Sequence, residues 1–103
     1  MDIEDVILLI EKIMINQTGR TLSDTDITVI KGLHEGLTYS AIAENHNYHD
    51  GYVGEKSRSL YRVMTAELGY PVTKHNFRWV IDRLEIMRKR ERRIRQAKKR
   101  LSR

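Results

Sequence analysis

The stretch LSDTDITVIKGLHEGLTYSAIAENHNYHDGYVGEKSRSLYRVMTAELG, from Leu22 to Gly69, carries helix-turn-helix signals at the spacings that motif needs. Ser23 and Asp26 stand three apart, so hydroxyl and carboxylate can each accept a free N–H at a helix start. Ile27, Ile30 and Leu33 then recur at helical spacing, and Gly36 supplies a left-handed stop. Thr38 caps a short second helix with Ile42 and Ala43 on its inner side. The polar run Asn45-His46-Asn47 breaks it. A third helix starts near Asp50 and keeps Val53, Ser57, Leu60 and Met64 on one face. A short helix, a tight turn and a longer helix, with small Ala43 at the crossing, present one helix to a DNA major groove.

Working toward the N-terminus, residues 3–16 predict a helix capped by Asp2 and ended by Gly19. Ile3, Val6, Ile7, Ile10, Ile13 and Met14 form its inner stripe. Leu8, Leu9 and Ile15 widen that stripe beyond the need of a small bundle. Either other helices surround this one or the surplus is a dimer contact. Toward the C-terminus, Gly69-Tyr70-Pro71 is a stop, because proline biases the residue before it away from helical angles. Thr73 then caps a last helix, with Asn76 three residues on and Phe77, Val80, Ile81 and Leu84 on one apolar face. Beyond Leu84 that face thins to Met87, Ile94 and Leu101. Their heptad companions Glu91 and Lys98 are charged, which is too little for a coiled coil. No repeat and no strand pattern occurs. The expected fold is an all-α helix-turn-helix bundle of about five helices with a long basic C-terminal helix, divided into a domain over 1–87 and an extension over 88–103.

At 103 residues the chain suits one small core. Apolar residues make up 40% and charged residues 32%. With no cysteine, neither a disulfide framework nor a thiolate metal site is open to it. The apolar run at 6–10 is too short to span a membrane and follows Asp2, Glu4 and Asp5, so a cytoplasmic, nucleoid-associated protein is expected. The net charge of +5 conceals a split. Residues 1–77 hold 7 Lys/Arg against 11 Asp/Glu, a balance of −4, whereas residues 78–103 hold 12 against 3, a balance of +9.

The inward set of the third helix leaves Glu55, Arg58, Ser59 and Arg62 in an outward row. Arginine there can hold guanine O6 and N7 together, and glutamate can accept from cytosine N4. The alternative is a solvated face with an ion pair between Glu55 and Arg58. Lys56 beside the row is a candidate phosphate contact. Residues 88–103 hold 10 basic side chains and Glu91 as the one acid. Arg88, Lys89, Arg92, Arg93, Arg95, Lys99 and Arg100 are candidate phosphate contacts. The pairs Arg88/Arg92, Lys89/Arg93 and Arg95/Lys99 repel at i, i+4, so the tail is expected to fray alone and order on nucleic acid. Trp79 and Ile86 lie off the apolar face, either as a dimer contact together with Leu8, Leu9 and Ile15 or, for Trp79, packed on the first helix. His34, His46, His49 and His75 have no shared metal spacing. Asn16-Gln17-Thr18 matches a glycosylation acceptor without a secretory context. No Gly-rich phosphate loop, nucleophile elbow or carboxylate pair appears, so no catalysis, cofactor or metal is expected.

Leu22-Ser23, Asp26, Val29-Ile30, Gly36, Thr38, Ile42-Ala43 and Val53 resemble, without a gap, the LuxR/GerE-type pattern L-T-x-x-E-x-x-V-L, A-x-G-x-S-x-x-E-I-A, T-V-K. The likeness covers a little under half the chain, and sigma-factor region 4 shares much of it. It implies base-facing positions at Gly54, Glu55 and Arg58. Gly54 departs from the lysine usual there. A second set is Thr18-Gly19, Tyr39, Ile42-Ala43-Glu44, Tyr48, Leu60, Glu67-Leu68-Gly69, Val72-Thr73-Lys74 and Asn76-Phe77-Arg78. These resemble the small N-terminal helical domain of cyanobacterial multidomain proteins, ahead of NTPase, WD-repeat or von Willebrand A/MoxR-associated modules. That likeness covers about residues 1–83 and implies a winged-helix-like or LuxR-like regulator.

Two functions follow as expectations. The first is a dimeric transcriptional regulator on double-stranded DNA, with RNA as a further partner for the tail. The second is a protein-docking adaptor whose tail binds RNA or an acidic partner, a reading favoured by Gly54 and by the acidic body.

Overall fold

Capping residues and apolar stripes divide the chain into five helices, and the computed structural model describes residues 2–101. They are α1 (Ile3–Thr18), α2 (Asp24–His34), α3 (Tyr39–Asn45), α4 (Asp50–Leu68) and α5 (Phe77–Leu101). The described residues contain no strand. Asp2 caps α1 by accepting from the Asp5 N–H at 3.0 Å. At the start of α2, Ser23 Oγ accepts from the Asp26 N–H at 3.1 Å while the Asp26 carboxylate accepts from the Ser23 N–H at 3.0 Å. Thr38 Oγ1 does the same for α3 through the Ala41 N–H. Gly69 ends α4 at φ 78°, a left-handed angle open to glycine at no steric cost. Asn47 takes the same region at φ 57° between α3 and α4, where asparagine is the tolerated side chain.

The core gathers Val6, Ile10, Val29, Ile30, Ile42, Val53, Met64, Phe77, Val80 and Ile81, all essentially without solvent contact. Full burial of each such side chain contributes roughly 1.5–3 kcal/mol before the entropy of ordering it. α4 is the central strut, packed against α1, α2 and α3. Its buried Ser57 is satisfied internally, donating to the Val53 carbonyl at 2.8 Å. Gln17 Nε2 donates to Glu67 Oε1 at 3.0 Å and ties the end of α1 to the end of α4. Ala43 is buried in the core, and Gly32 marks a second close approach. A Cβ built on Gly32 would overlap Ile42 Cγ1 and Cδ1, so α2 and α3 pack through the missing side chain.

The last helix begins later than its capping signal implies. Thr73 and Asn76 do exchange hydrogen bonds, Thr73 N–H to Asn76 Oδ1 at 2.7 Å and Asn76 N–H to Thr73 Oγ1 at 3.4 Å. They close a turn ahead of the helix, and the Asn76 carbonyl accepts the Val80 N–H at 2.8 Å. α5 then runs 25 residues, about 37 Å at 1.5 Å per residue, which gives the molecule its 57 × 24 × 23 Å dimensions. The described part of the tail is helical to Leu101. Arginine, lysine, glutamine and alanine are strong helix formers, and Lys98, Lys99 and Arg100 sit in the last turn, where the helix dipole favours cations. Together these offset repulsions of a few tenths of a kcal/mol per pair.

Candidate nucleic-acid interface

Burying Val53, Ser57, Leu60, Tyr61 and Met64 turns the opposite side of α4 outward. Glu55, Arg58, Ser59 and Arg62 are all exposed there, on a shallow groove of about 430 Å³ that Tyr52 and Lys56 complete. No ion pair joins Glu55 to Arg58. Gly54 does not belong to this row. It is buried, and a Cβ there would lie 3.1 Å from the Arg58 guanidinium and 3.6 Å from the Tyr39 ring. The absent side chain lets the Arg58 guanidinium lie back over position 54.

Lys56 is also committed elsewhere. Its ammonium is 3.2 Å from Asp26 and 5.9 Å from the Tyr52 ring centroid. Burial pushes the Asp26 carboxyl up, but hydrogen bonds from Ser23 and the neighbouring Lys56 outweigh it and hold the carboxyl below its usual range. The α2 cap and α4 are thereby joined through one carboxylate.

Arg58 and Arg62 line a second depression as well, an open cleft of about 570 Å³ completed by Tyr39, Tyr61, Val72, Thr73 and Lys74. Three elements build it: α3 gives Tyr39, α4 gives both arginines and Tyr61, and the α4–α5 loop gives the rest. The Thr73–Asn76 exchange fixes that loop. The Val72 N–H donates to Thr65 Oγ1 at 2.9 Å, and Asn76 Nδ2 donates to the Pro71 carbonyl at 2.8 Å. The Lys74 ammonium rests 4.3 Å from the Tyr39 ring centroid. Tyr61 is 7% exposed, and its hydroxyl is buried and makes no hydrogen bond of standard geometry among the described residues. Burial first, and the neighbouring Tyr39 phenol second, push its pKa up, so it is a neutral donor. Sequence reasoning missed Tyr39, Tyr61, Lys74 and this cleft, because no local spacing joins positions 39, 61 and 74.

The basic candidates on α5 divide in two. Arg88 lies 3.7 Å from Asp5 of α1, and Lys89 lies 3.4 Å from Glu85. Arg92, Arg93, Arg95, Lys99 and Arg100 are exposed on the projecting half of the helix, as is every residue from 91 to 101. Among the proposed dimer residues, Leu8, Ile15, Trp79 and Ile86 are 46–65% exposed, whereas Leu9 is half-buried. Trp79 is 56% exposed. Its ring meets Tyr70 edge-on at 6.4 Å, and the Arg83 guanidinium lies 5.6 Å from it. Among the described residues no three metal-ligating groups cluster, and no helix is long and apolar enough to cross a membrane.

These helices and their order are those of a helix-turn-helix, and the family model for the N-terminal helix-turn-helix of vWA-MoxR associated proteins matches residues 1–84. The chain belongs to that family. No curated protein and no solved structure matches it. The matched span of this vWA-MoxR-associated helix-turn-helix ends at Leu84, where the apolar face of α5 also ends. The basic half of α5 lies beyond it.

Proposed function

We propose that this domain is the DNA-binding part of a transcriptional regulator, with α4 in the major groove and the exposed half of α5 along neighbouring phosphates. One observation carries the reading. α4 is held on one side by three helices and offers Arg58, Ser59, Arg62 and Glu55 on the other, with no acid paired to either arginine. A rigid helix with arginines on its free face is what bidentate recognition of guanine requires. LuxR-like spacing over residues 22–53 supports the same docking. The +9 balance of residues 78–103 supplies the sequence-independent attraction on which specific binding is built.

A homodimer belongs to this reading, because a second half-site multiplies the affinity of one short reading helix through effective concentration. Leu8, Ile15, Trp79 and Ile86 are the apolar surface open to such a contact. Sedimentation at micromolar concentration tests it, and one monomeric species across the range would remove the dimer.

Selection from a random duplex pool at two salt concentrations tests the reading itself. A recovered motif is expected. Uniform recovery would overturn sequence reading and leave protein docking or non-specific binding. Arg58→Ala should cost about 1–3 kcal/mol on the recovered motif and much less on random duplex. An equal loss on both would place Arg58 on phosphate.

A further inference from the structure

The cleft between α3, α4 and the α4–α5 loop contains chemistry that base reading does not use. Arg58, Arg62 and Lys74 bring three positive charges to its rim, and none of its lining residues is acidic. Thr73 adds a hydroxyl. Tyr61 lines it with a buried hydroxyl that makes no hydrogen bond of standard geometry, with the Tyr39 phenol as its polar neighbour. A buried donor left unpaired is destabilising, and most buried polar groups in folded proteins are paired, so this one marks a place where an acceptor belongs. Tyr61 and Phe77 are in ring contact at 6.0 Å, so the phenol ring is fixed by the core while its hydroxyl faces the Tyr39 side of the cleft. The Lys74 ammonium is held over Tyr39 by the ring alone, at the rim, where it can take an anion without breaking an ion pair. Gly54 completes the arrangement, since any side chain there would push Arg58 off its position beside Tyr39.

We propose that this cleft is a phosphate site, in which Arg58, Arg62 and Lys74 hold the phosphate oxygens and the Tyr61 hydroxyl donates to one of them. Three cations with neutral hydroxyl donors and no acid suit a group carrying several acceptor oxygens and more than one negative charge. At about 570 Å³ the cleft has room for a nucleotide or for a segment of nucleic-acid backbone, the two sources of that group. The site shares Arg58 and Arg62 with the base-reading face proposed above, whereas Tyr61 and Lys74 belong to it alone, so variants at those two positions test it separately.

The test is a titration of the full chain with inorganic pyrophosphate, followed by backbone amide shifts, for the parent protein and three variants. Tyr61→Phe removes the buried hydroxyl and keeps the ring. Lys74→Gln removes an exposed charge from the rim. Arg92→Gln removes one equivalent charge from the far half of α5. Saturable shifts at Tyr39, Arg58, Tyr61 and Lys74 are expected. Tyr61→Phe should weaken binding about three- to tenfold, the range of one neutral hydrogen bond, while its melting temperature stays level or rises. That opposition separates a binding role from a structural one. Lys74→Gln should weaken binding by a similar factor, and Arg92→Gln should leave it unchanged. Shifts spread along α5, or an affinity indifferent to both Tyr61→Phe and Lys74→Gln, would overturn the site. Should Tyr61→Phe fail to fold, Lys74→Gln against Arg92→Gln decides alone. A short duplex and a nucleoside triphosphate, each competed against pyrophosphate, then identify the source. Displacement by duplex at these amides assigns backbone phosphate, and displacement by the triphosphate alone assigns a free nucleotide.

Discussion

The two halves of α5 are one unbroken helix under two different physical regimes. From Phe77 to Leu84 the helix is held from outside: Phe77, Val80 and Ile81 are buried in the common core, and Leu84 packs at its edge. From Glu91 to Leu101 every side chain is exposed, including Ile94 at 51% and Leu101 at 84%. There the helix rests on intrinsic propensity and on cations in its last turn. Between the halves, Arg88–Asp5 and Lys89–Glu85 form a collar of ion pairs that are partly solvated and contribute little each. Helical continuity is therefore no sign of a shared folding unit. Positive charge accumulates where burial stops, because only there does it avoid competing with packing.

The largest effect should come from cutting the same helix on its two sides. Phe77→Ala empties a fully buried ring from the core and should lower stability by about 3–5 kcal/mol. Ile94→Ala removes an exposed side chain and should stay within about 0.5 kcal/mol. Thermal melting followed by helical signal measures both. A comparable loss for Ile94→Ala would show that the far half has an apolar partner, such as a second copy, and the contrast would be gone.

Gly32→Ala sharpens the comparison from the body's side, because it asks for one methyl where no room exists. Helix propensity favours alanine by up to about 1 kcal/mol, but the new Cβ meets the stiff, β-branched Ile42. Overpacking at about 1–3 kcal/mol should win, giving a net loss. Combining it with Ile42→Ala should recover part of that loss, so the double-mutant cycle shows coupling. Additive losses would mean that the helices simply slide apart. In the projecting half the corresponding change, Ala97→Gly, should reduce helicity without moving the melting temperature.

What the sequence disclosed follows the same division between local and assembled features. The α2 capping box, the Thr38 cap and the stop at Gly69 are written in residues three or four apart, and all three are found where their spacing implies. The α4 row was legible too, because helical periodicity assigns its faces. Gly32 was not, since a glycine inside an apolar helix carries no mark of which neighbour presses on it. The same holds for Gly54, read as an outward position until Arg58 is seen folded across it. Lys56 and Arg88 looked like open cations because Asp26 and Asp5 lie far away in sequence. The 39/61/74 cleft exists only once α3, α4 and the loop are assembled.

Asp26 gives a smaller effect, confined to the body and dependent on pH. Its carboxyl is held below the ordinary 3.8 in the folded state, so its contribution is complete above that value and is lost as pH falls through the lower folded value. Asp26→Asn should therefore be less stable than the parent near neutral pH, by about 1 kcal/mol, because the group is only partly buried and its partner Lys56 is partly exposed. The gap should close under acid, and urea melts at pH 7 and below pH 3 measure it. A gap that persists in acid would assign the loss to cap geometry rather than charge. Ser23→Ala should cost about 1 kcal/mol at either pH.

The smallest effect on stability should come from the largest removal. Deleting residues 91–103 takes away seven basic side chains and no buried one among those described. It keeps both ion pairs of the collar. The melting temperature should hardly move, while total helical signal falls by the length removed. Duplex affinity should respond quite differently. Each phosphate neutralised contributes about −0.9 to the slope of log affinity against log salt, so engagement of roughly half of those seven would shallow the slope by about 3. The loss should be the same on selected and random duplex, because phosphate contacts carry no sequence information. Arg58→Ala predicts the reverse pattern if Arg58 reads a base, a loss on the selected motif with a nearly unchanged slope. An Arg58 that holds backbone phosphate in the 39/61/74 cleft would instead give an equal loss on both duplexes and a slope shallower by about 1. If the truncated chain kept its full salt slope, the cations that meet phosphate would have to lie on the body. The rim of the 39/61/74 cleft brings three of them together with no acid in its lining.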